Sequence, residues 1–192
     1  MVLFNVNMTK KLDKVKKMRE NKIKKENDMH YALMVVLEKD IVKQMEKFKE
    51  AEDNPESKWD NYGLGRRFRS YFSKKDGTNF CVSKVCEIDI EKMKAEMIEV
   101  AKKEYGIFEV INFESEERKR EAIINMLGSY MTEEDYISQR SREFLTPYAF
   151  LRSGEWYDAK RSGSHEKWIE DFQKIFEDLP PETELAVFDC HI

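Results

Sequence analysis

Glycine and proline are scarce in this chain, seven and four in 192 residues, which excludes collagen-like, linker-rich and low-complexity architectures. Cysteine is scarce as well. Cys81, Cys86 and Cys190 are too few, and odd in number, for a disulfide framework, so reduced thiols in a reducing compartment are expected. No apolar run approaches the roughly 18 residues of a spanning helix, so no membrane partner is expected. The opening MVLFNVNMTKKLDK puts its apolar residues before its lysines. That is the reverse of a secretory signal, and a cytoplasmic location is expected.

Charge, by contrast, is plentiful. Charged residues make up 38% of the chain, above the usual share of about a quarter, which suggests long solvated helices around a modest core. The net charge of −4 hides an asymmetry: residues 1–85 carry 20 Lys and Arg against 13 Asp and Glu, a net of +7, and the remainder carries −11. A basic half fits a polyanionic or acidic partner, and it equally fits two halves that attract each other.

Residues 9–26 hold nine Lys and Arg, with only Leu12, Val15, Met18 and Ile23 as a thin apolar stripe. They read as a basic N-terminal helix or arm over 1–28, leaving 29–192 as one domain. The run Tyr31–Leu37 fits either a buried strand feeding a helix from about Asp40, or part of a helix with Met34, Leu37, Ile41, Met45 and Phe48 on one face. Asn54-Pro55 ends the element in both cases. Aromatic and β-branched residues around Asp76-Gly77 predict a hairpin with strands near 66–74 and 79–88. A helix capped by Asp89 is expected to stop at Gly106, followed by a strand over 107–113.

Ser115 starts a further helix that ends near Gly128, and Thr132 opens another to about Phe144. TPYAFLRSGEWYDA reads as a hairpin turning at Ser153-Gly154. His165, Trp168, Ile169, Phe172, Ile175 and Phe176 then recur at helical spacing, and 184–191 closes as a strand. Together these elements predict an α+β fold: a mixed, largely antiparallel sheet with helices mainly on one face, plus the basic N-terminal helix.

Several chemistries fail on spacing. In the predicted strand, Asp189 and His191 share one face with Val187, while Cys190 points the other way with Phe188. The triplet therefore cannot supply its own nucleophile and base. Asp189 and His191 remain a candidate polar cluster, and a small Cys/His enzyme would need His30 or His165. Cys81 and Cys86 face opposite sides of a strand and lack the two-to-four-residue spacing of a zinc knuckle, so no metal ligand set is assigned. Gly63-Leu64-Gly65-Arg66-Arg67 lacks the third glycine of a dinucleotide loop and the Lys-Ser/Thr of a phosphate loop. No cofactor and no catalytic residue are assigned.

The patch that does carry a functional reading is Arg66, Arg67, Arg69, Tyr71, Lys74 and Lys75, interleaved with Tyr62, Phe68 and Phe72. Arginines neutralise phosphates and aromatics stack bases, so this segment is a candidate partner- or nucleic-acid-binding surface. Phe68 and Phe72 on one strand face, with Arg67, Arg69 and Tyr71 on the other, is also the pattern of an ordinary half-buried strand.

PYAFLRSGEWYDA, followed after a helix by LPPETELAVFDCHI, resembles uncharacterised proteins of bacterial viruses and prophages that share a YAF…GEW hairpin and a strand ending Asp-Cys-His-Ile. The resemblance covers about residues 146–192 and departs after the hairpin, where AKRSGSHEKW replaces a Trp/Gly-rich stretch. It implies an origin and no reaction. Small viral proteins often act by binding a host machine. The expected function is therefore a non-enzymatic accessory protein that binds a host protein or nucleoprotein, in the manner of an inhibitor of a defence system such as a CRISPR effector. Direct nucleic-acid binding through 62–75 and the basic N-terminus is the alternative.

Overall fold

A computed structural model describes residues 29–110, 115–127 and 132–191. Its frame is a mixed sheet in which the last strand in sequence lies in the interior, one place from an edge. β1 (His30–Val36) and β8 (Glu184–His191) are antiparallel neighbours over seven residue pairs, from His30 with His191 to Val36 with Leu185. On the far side of β1, β6 (Ala149–Arg152) pairs in parallel, and β7 (Glu155–Asp158) folds back on β6 as a hairpin. On the far side of β8 two short strands share the edge: β2 (Asn61–Leu64) pairs with its second half and β5 (Val82–Lys84) with its first.

The Tyr31–Leu37 ambiguity resolves as a strand because both faces of β1 are buried, which a continuous apolar run allows and an amphipathic helix does not use. Ala32, Met34 and Val36 join Phe150, Leu185 and Val187 in one core cluster; Tyr31, Leu33 and Val35 join Ala149, Leu151 and Cys190 in the other. The first cluster lies under the long helices. α2 (Ile90–Val110) contributes Met93, and α6 (His165–Glu177) contributes Trp168 and Phe172. α4 (Glu133–Leu145) packs on α2, with Tyr136 and Tyr105 ring centroids 5.5 Å apart and Arg140 Nε 3.1 Å from Glu104 Oε2. The second cluster is covered by α1 (Ile41–Glu46) and the loop after it, through Met45, Phe48 and Trp59. The fold is α+β, with the long helices described around the first face. α3 (Glu116–Leu127) starts after Ser115, whose hydroxyl accepts the Arg118 amide.

Two sequence expectations are corrected. The strand expected over 107–113 is helix as far as described, because α2 runs through Gly106 to Val110. One interior glycine costs a helix only about 1 kcal/mol, and propagation from the preceding turns outweighs it. The long hairpin strands over 66–74 and 79–88 are replaced by a 3₁₀ turn at Arg66–Phe68, two-residue strands β3 (Phe72–Ser73) and β4 (Asn79–Phe80), and β5. The Asp76-Gly77 turn itself forms, with Gly77 at φ 87° and Asp76 Oδ1 accepting the Thr78 amide and hydroxyl. The basic helix expected over 1–28 lies outside the described residues. α5 (Ala159–Ser162) is a single turn capped by Asp158, ahead of α6 and its Ser164 cap.

Candidate functional site

One end of the sheet collects polar side chains, because β1 and β2 begin there and β8 finishes there. His30 and His191 sit opposite each other in the β1–β8 register, with ring centroids 5.0 Å apart at 62°. Each ring has a carboxylate on Nδ1: Asp189 Oδ1 is 2.7 Å from His30, and Asp60 Oδ1 is 2.8 Å from His191. A carboxylate at Nδ1 fixes the ring plane and favours that nitrogen as the donor. Asp189 is only 1% exposed, a depth at which a charge must be hydrogen-bonded to be tolerated. Its other oxygen accepts the Arg67 amide at 3.4 Å.

The turn that brings Arg67 there is unusual in backbone terms. Gly65 has φ 66° and the next residue, Arg66, φ 39°, which is the left-handed region for a residue with a Cβ. The turn is held on the sheet by the Gly65 amide donating to Val187 O at 2.9 Å, and closed by the Phe68 amide donating to Gly65 O at 2.6 Å. It folds the Arg66 side chain back over Gly63. A Cβ at 63 would stand 2.6 Å from the guanidinium carbon, and one at 65 would stand 2.7 Å from Cys81 Sγ. Gly65 is required by its positive φ and by the buried Cys81 and the Arg69 backbone beside it, whereas a side chain at 63 would only have to displace the flexible Arg66 guanidinium. Arg66 Nη2 lies 3.5 Å from Asn61 Oδ1.

The outer edge of β8 is continuous across this turn. Gly65 bonds Val187 O, and the Val187 amide donates to Cys81 O at 2.8 Å, so residues 64–65 and 80–81 are neighbours along one strand. The edge exposes two large apolar side chains, Leu64 at 51% and Phe80 at 54%. Arg66, Arg67 and Arg69 are exposed on the turn beside them.

Of the basic segment singled out in the sequence, these three arginines and Lys75 reach the surface. Lys75 Nζ also donates to Cys86 O at 2.7 Å. Tyr71 does not lie beside the arginines as strand alternation suggested. It turns inward, its hydroxyl donates to Leu145 O at 3.2 Å, and burial pushes the phenol above its ordinary range. Lys74 is paired with Glu87 at 2.8 Å. Phe72 is 1% exposed and unavailable for stacking.

Alternation on β8 holds: Asp189 lies with the His30 cluster and Cys190 is buried on the opposite face. Burial, reinforced by the neighbouring Asp189 charge, pushes the Cys190 thiol up to about 12, which leaves it protonated at neutral pH and a poor nucleophile. Sequence reasoning grouped Asp189 and His191 as one polar cluster; the structure adds His30 on Asp189 and Asp60 on His191, 159 and 131 positions away. Only a correct strand order would have revealed them. No known family, curated protein or solved structure matches the chain. Among the described residues, no group of three or more His, Cys, Asp or Glu is arranged to hold a metal ion, and no helix is long and apolar enough to cross a membrane.

Proposed function

We propose that the chain is a non-enzymatic accessory protein that binds a host protein or nucleoprotein, and that its contact surface is the outer edge of β8. The observation that carries this reading is the pairing of Leu64 and Phe80, both more than half exposed, with Arg66, Arg67 and Arg69 on the turn between them. Aromatic and arginine side chains are the types over-represented at the energetic centres of interfaces, and an apolar pair ringed by guanidiniums complements an acidic, partly apolar target. The turn is anchored to the interior strand β8, so the arginines are presented on a fixed backbone, which reduces the ordering cost of association. The phage resemblance supplies the kind of target: a host machine, including a defence effector.

The inward placement of Tyr71 and Phe72 takes two of the aromatics that direct nucleic-acid binding through 62–75 relies on, which counts against that reading. The discriminating experiment compares wild type with Phe80→Ser and with an Arg66→Glu/Arg67→Glu/Arg69→Glu triple variant. Affinity purification from host lysate, run in parallel with and without nuclease treatment, is followed by titration of the recovered partner. The expected result is a defined protein partner whose affinity falls at least tenfold with either variant. Recovery of nucleic acid alone, with binding that falls steeply in salt, or a partner insensitive to both variants, would overturn the reading.

A further inference from the structure

β2 is the outermost strand on its side of the sheet, and among the described residues it pairs with β8 alone. Register decides which of its backbone groups β8 uses. The Leu37 amide donates to Glu184 O at 2.8 Å, so the even-numbered residues of β8 turn their ladder groups to β1 and the odd-numbered ones turn theirs to β2 and β5. The Gly65 amide on Val187 O and the Asp60 amide on His191 O, at 2.9 and 3.1 Å, both use odd-numbered acceptors, as this assignment requires. Asn61 and Gly63 stand opposite His191 and Asp189, whereas Tyr62 and Leu64 stand opposite Cys190 and Phe188. The amides and carbonyls of Tyr62 and Leu64 therefore point away from the sheet, and no described backbone group bonds them.

Native proteins blunt such an edge with a charge, a proline, a bulge or a covering segment. The strand at the opposite edge has such a cover. Arg161 Nη1 donates to the Trp156 carbonyl of β7 at 3.0 Å, and the guanidinium carbon lies 4.2 Å from the Tyr157 ring centroid. Asn61–Leu64 has no charge and no proline of its own. Its surroundings set the charge of what would fill the edge. Leu64 is 51% exposed, and Arg66, Arg67 and Arg69 follow it at the end of the strand. None of the ion pairs between described residues includes these arginines. The nearby carboxylates Asp60 and Glu46 are engaged, by His191 and by the Tyr62 hydroxyl.

We infer that the edge of β2 takes up an extended acidic segment of the partner protein as an added strand. The main chain of that segment pairs with Tyr62 and Leu64, and its carboxylates answer the arginines. This rests on the reading that the arginine edge is the contact surface, and it specifies the form of the ligand, extended chain and not a docked helix. A second copy of this chain fits less well, because the Asn61–Leu64 strand of another copy brings no carboxylate.

The probe is a capped heptapeptide of alternating glutamate and valine, titrated against the full chain by fluorescence polarisation. The comparison peptides are the same sequence N-methylated on the valines only or on the glutamates only, and a lysine–valine heptapeptide. An added strand turns only alternate amides toward its neighbour, so one methylation frame is expected to abolish binding while the other is tolerated. Lysine in place of glutamate is expected to weaken binding at least tenfold, as is the Arg66→Glu/Arg67→Glu/Arg69→Glu variant. Leu64→Pro removes one outward amide at a position where an edge strand accepts proline. It is expected to weaken binding at least tenfold with the wild-type melting profile, and Leu64→Ala is expected to weaken it less. If Leu64→Pro disturbs the melt, amide exchange in the wild-type chain decides, with Tyr62 and Leu64 expected to gain protection when the peptide binds. Four results would overturn the inference: no saturable binding of the glutamate–valine peptide at millimolar concentration, equal effects of the two methylation frames, exchange at Tyr62 and Leu64 unchanged by the peptide, or protection of those amides by concentration-dependent dimerisation alone. A host partner that depends on Phe80 and the arginines, yet binds folded Leu64→Pro as tightly as wild type, would overturn strand addition and leave the contact surface standing.

Discussion

Cys190 and Asp189 are adjacent in sequence and lead opposite lives, and that difference has a measurable consequence. Asp189 is buried yet has a ring nitrogen and a backbone amide to answer its charge. The Cys190 thiol is buried beside Tyr31, next to an existing negative charge, and its ionisation is pushed up to about 12. In the unfolded chain a thiol titrates near pH 8.5. Between these two values the unfolded state releases a proton that the native state keeps, so the native state is progressively disfavoured as pH rises through this window. Stability contributed by this group is complete below about pH 8 and is lost from about pH 9 upward. Tyr31 and Tyr71, whose ionisations burial also raises, act in the same direction at higher pH. Urea melts across pH 7–11 are expected to show a falling midpoint above about pH 9, with a shallower fall for Cys190→Ala. Equal slopes for the two proteins would show that the thiol ionises equally in both states.

Among the elements, α6 was the most legible and 64–75 the least, and packing explains both. Trp168, Ile169 and Phe172 of α6 are buried, so its apolar spacing reports directly on the face it presents to the sheet. Its start is equally local: the Ser164 hydroxyl accepts the Lys167 amide at 3.1 Å. Ser164→Ala is expected to cost about 1 kcal/mol and lower Tm by roughly 2–4 °C, whereas Phe172→Ala, which opens a cavity against Phe150 and Trp168, is expected to cost about 3–5 kcal/mol. Thermal melts of the two variants check the ratio. A Ser164→Ala effect as large as Phe172→Ala would mean that capping and not burial holds the helix. Residues 64–75 misled because their aromatic content, Phe68, Tyr71 and Phe72, suggests strand while the edge of β8 asks for a turn. Gly65 and Arg66 take positive φ so that 61–64 and 82–84 can share one strand as partner. That demand comes from a segment more than a hundred positions away, and nothing in the local pattern announces it.

For the whole molecule, fold class followed from periodicity and turn residues, whereas strand order could not, and the candidate site depended on strand order. Asp60, Gly63, Arg67 and His30 meet Asp189 and His191 only because β8 lies between β1 and the β2–β5 edge. The opposite charge of the two halves finds a structural outlet in pairs such as Lys74 with Glu87 and Lys84 with Glu182, at 2.8 Å each, though solvent-exposed pairs of this kind contribute little stability.

The consequence of an interior final strand is severe. β8 supplies every sheet partner of β2 and β5, one of the two partners of β1, and buried residues to both core clusters: Leu185 and Val187 to one, Cys190 to the other. Removing residues 184–192 would leave two edge segments with no ladder, open one edge of β1 and take buried residues from both core clusters, a loss beyond the roughly 5–15 kcal/mol that holds an ordinary domain. The truncated chain is expected to show no cooperative thermal transition and to lose near-ultraviolet circular dichroism. A chain missing only His191 and Ile192 keeps the seven β8 residues from Glu184 to Cys190 and is expected to melt cooperatively at reduced Tm. A cooperative transition in the larger truncation would mean that β1, β6 and β7 with α6 form a self-sufficient core, and that the strand on which the site is built is an addition to it and not its centre.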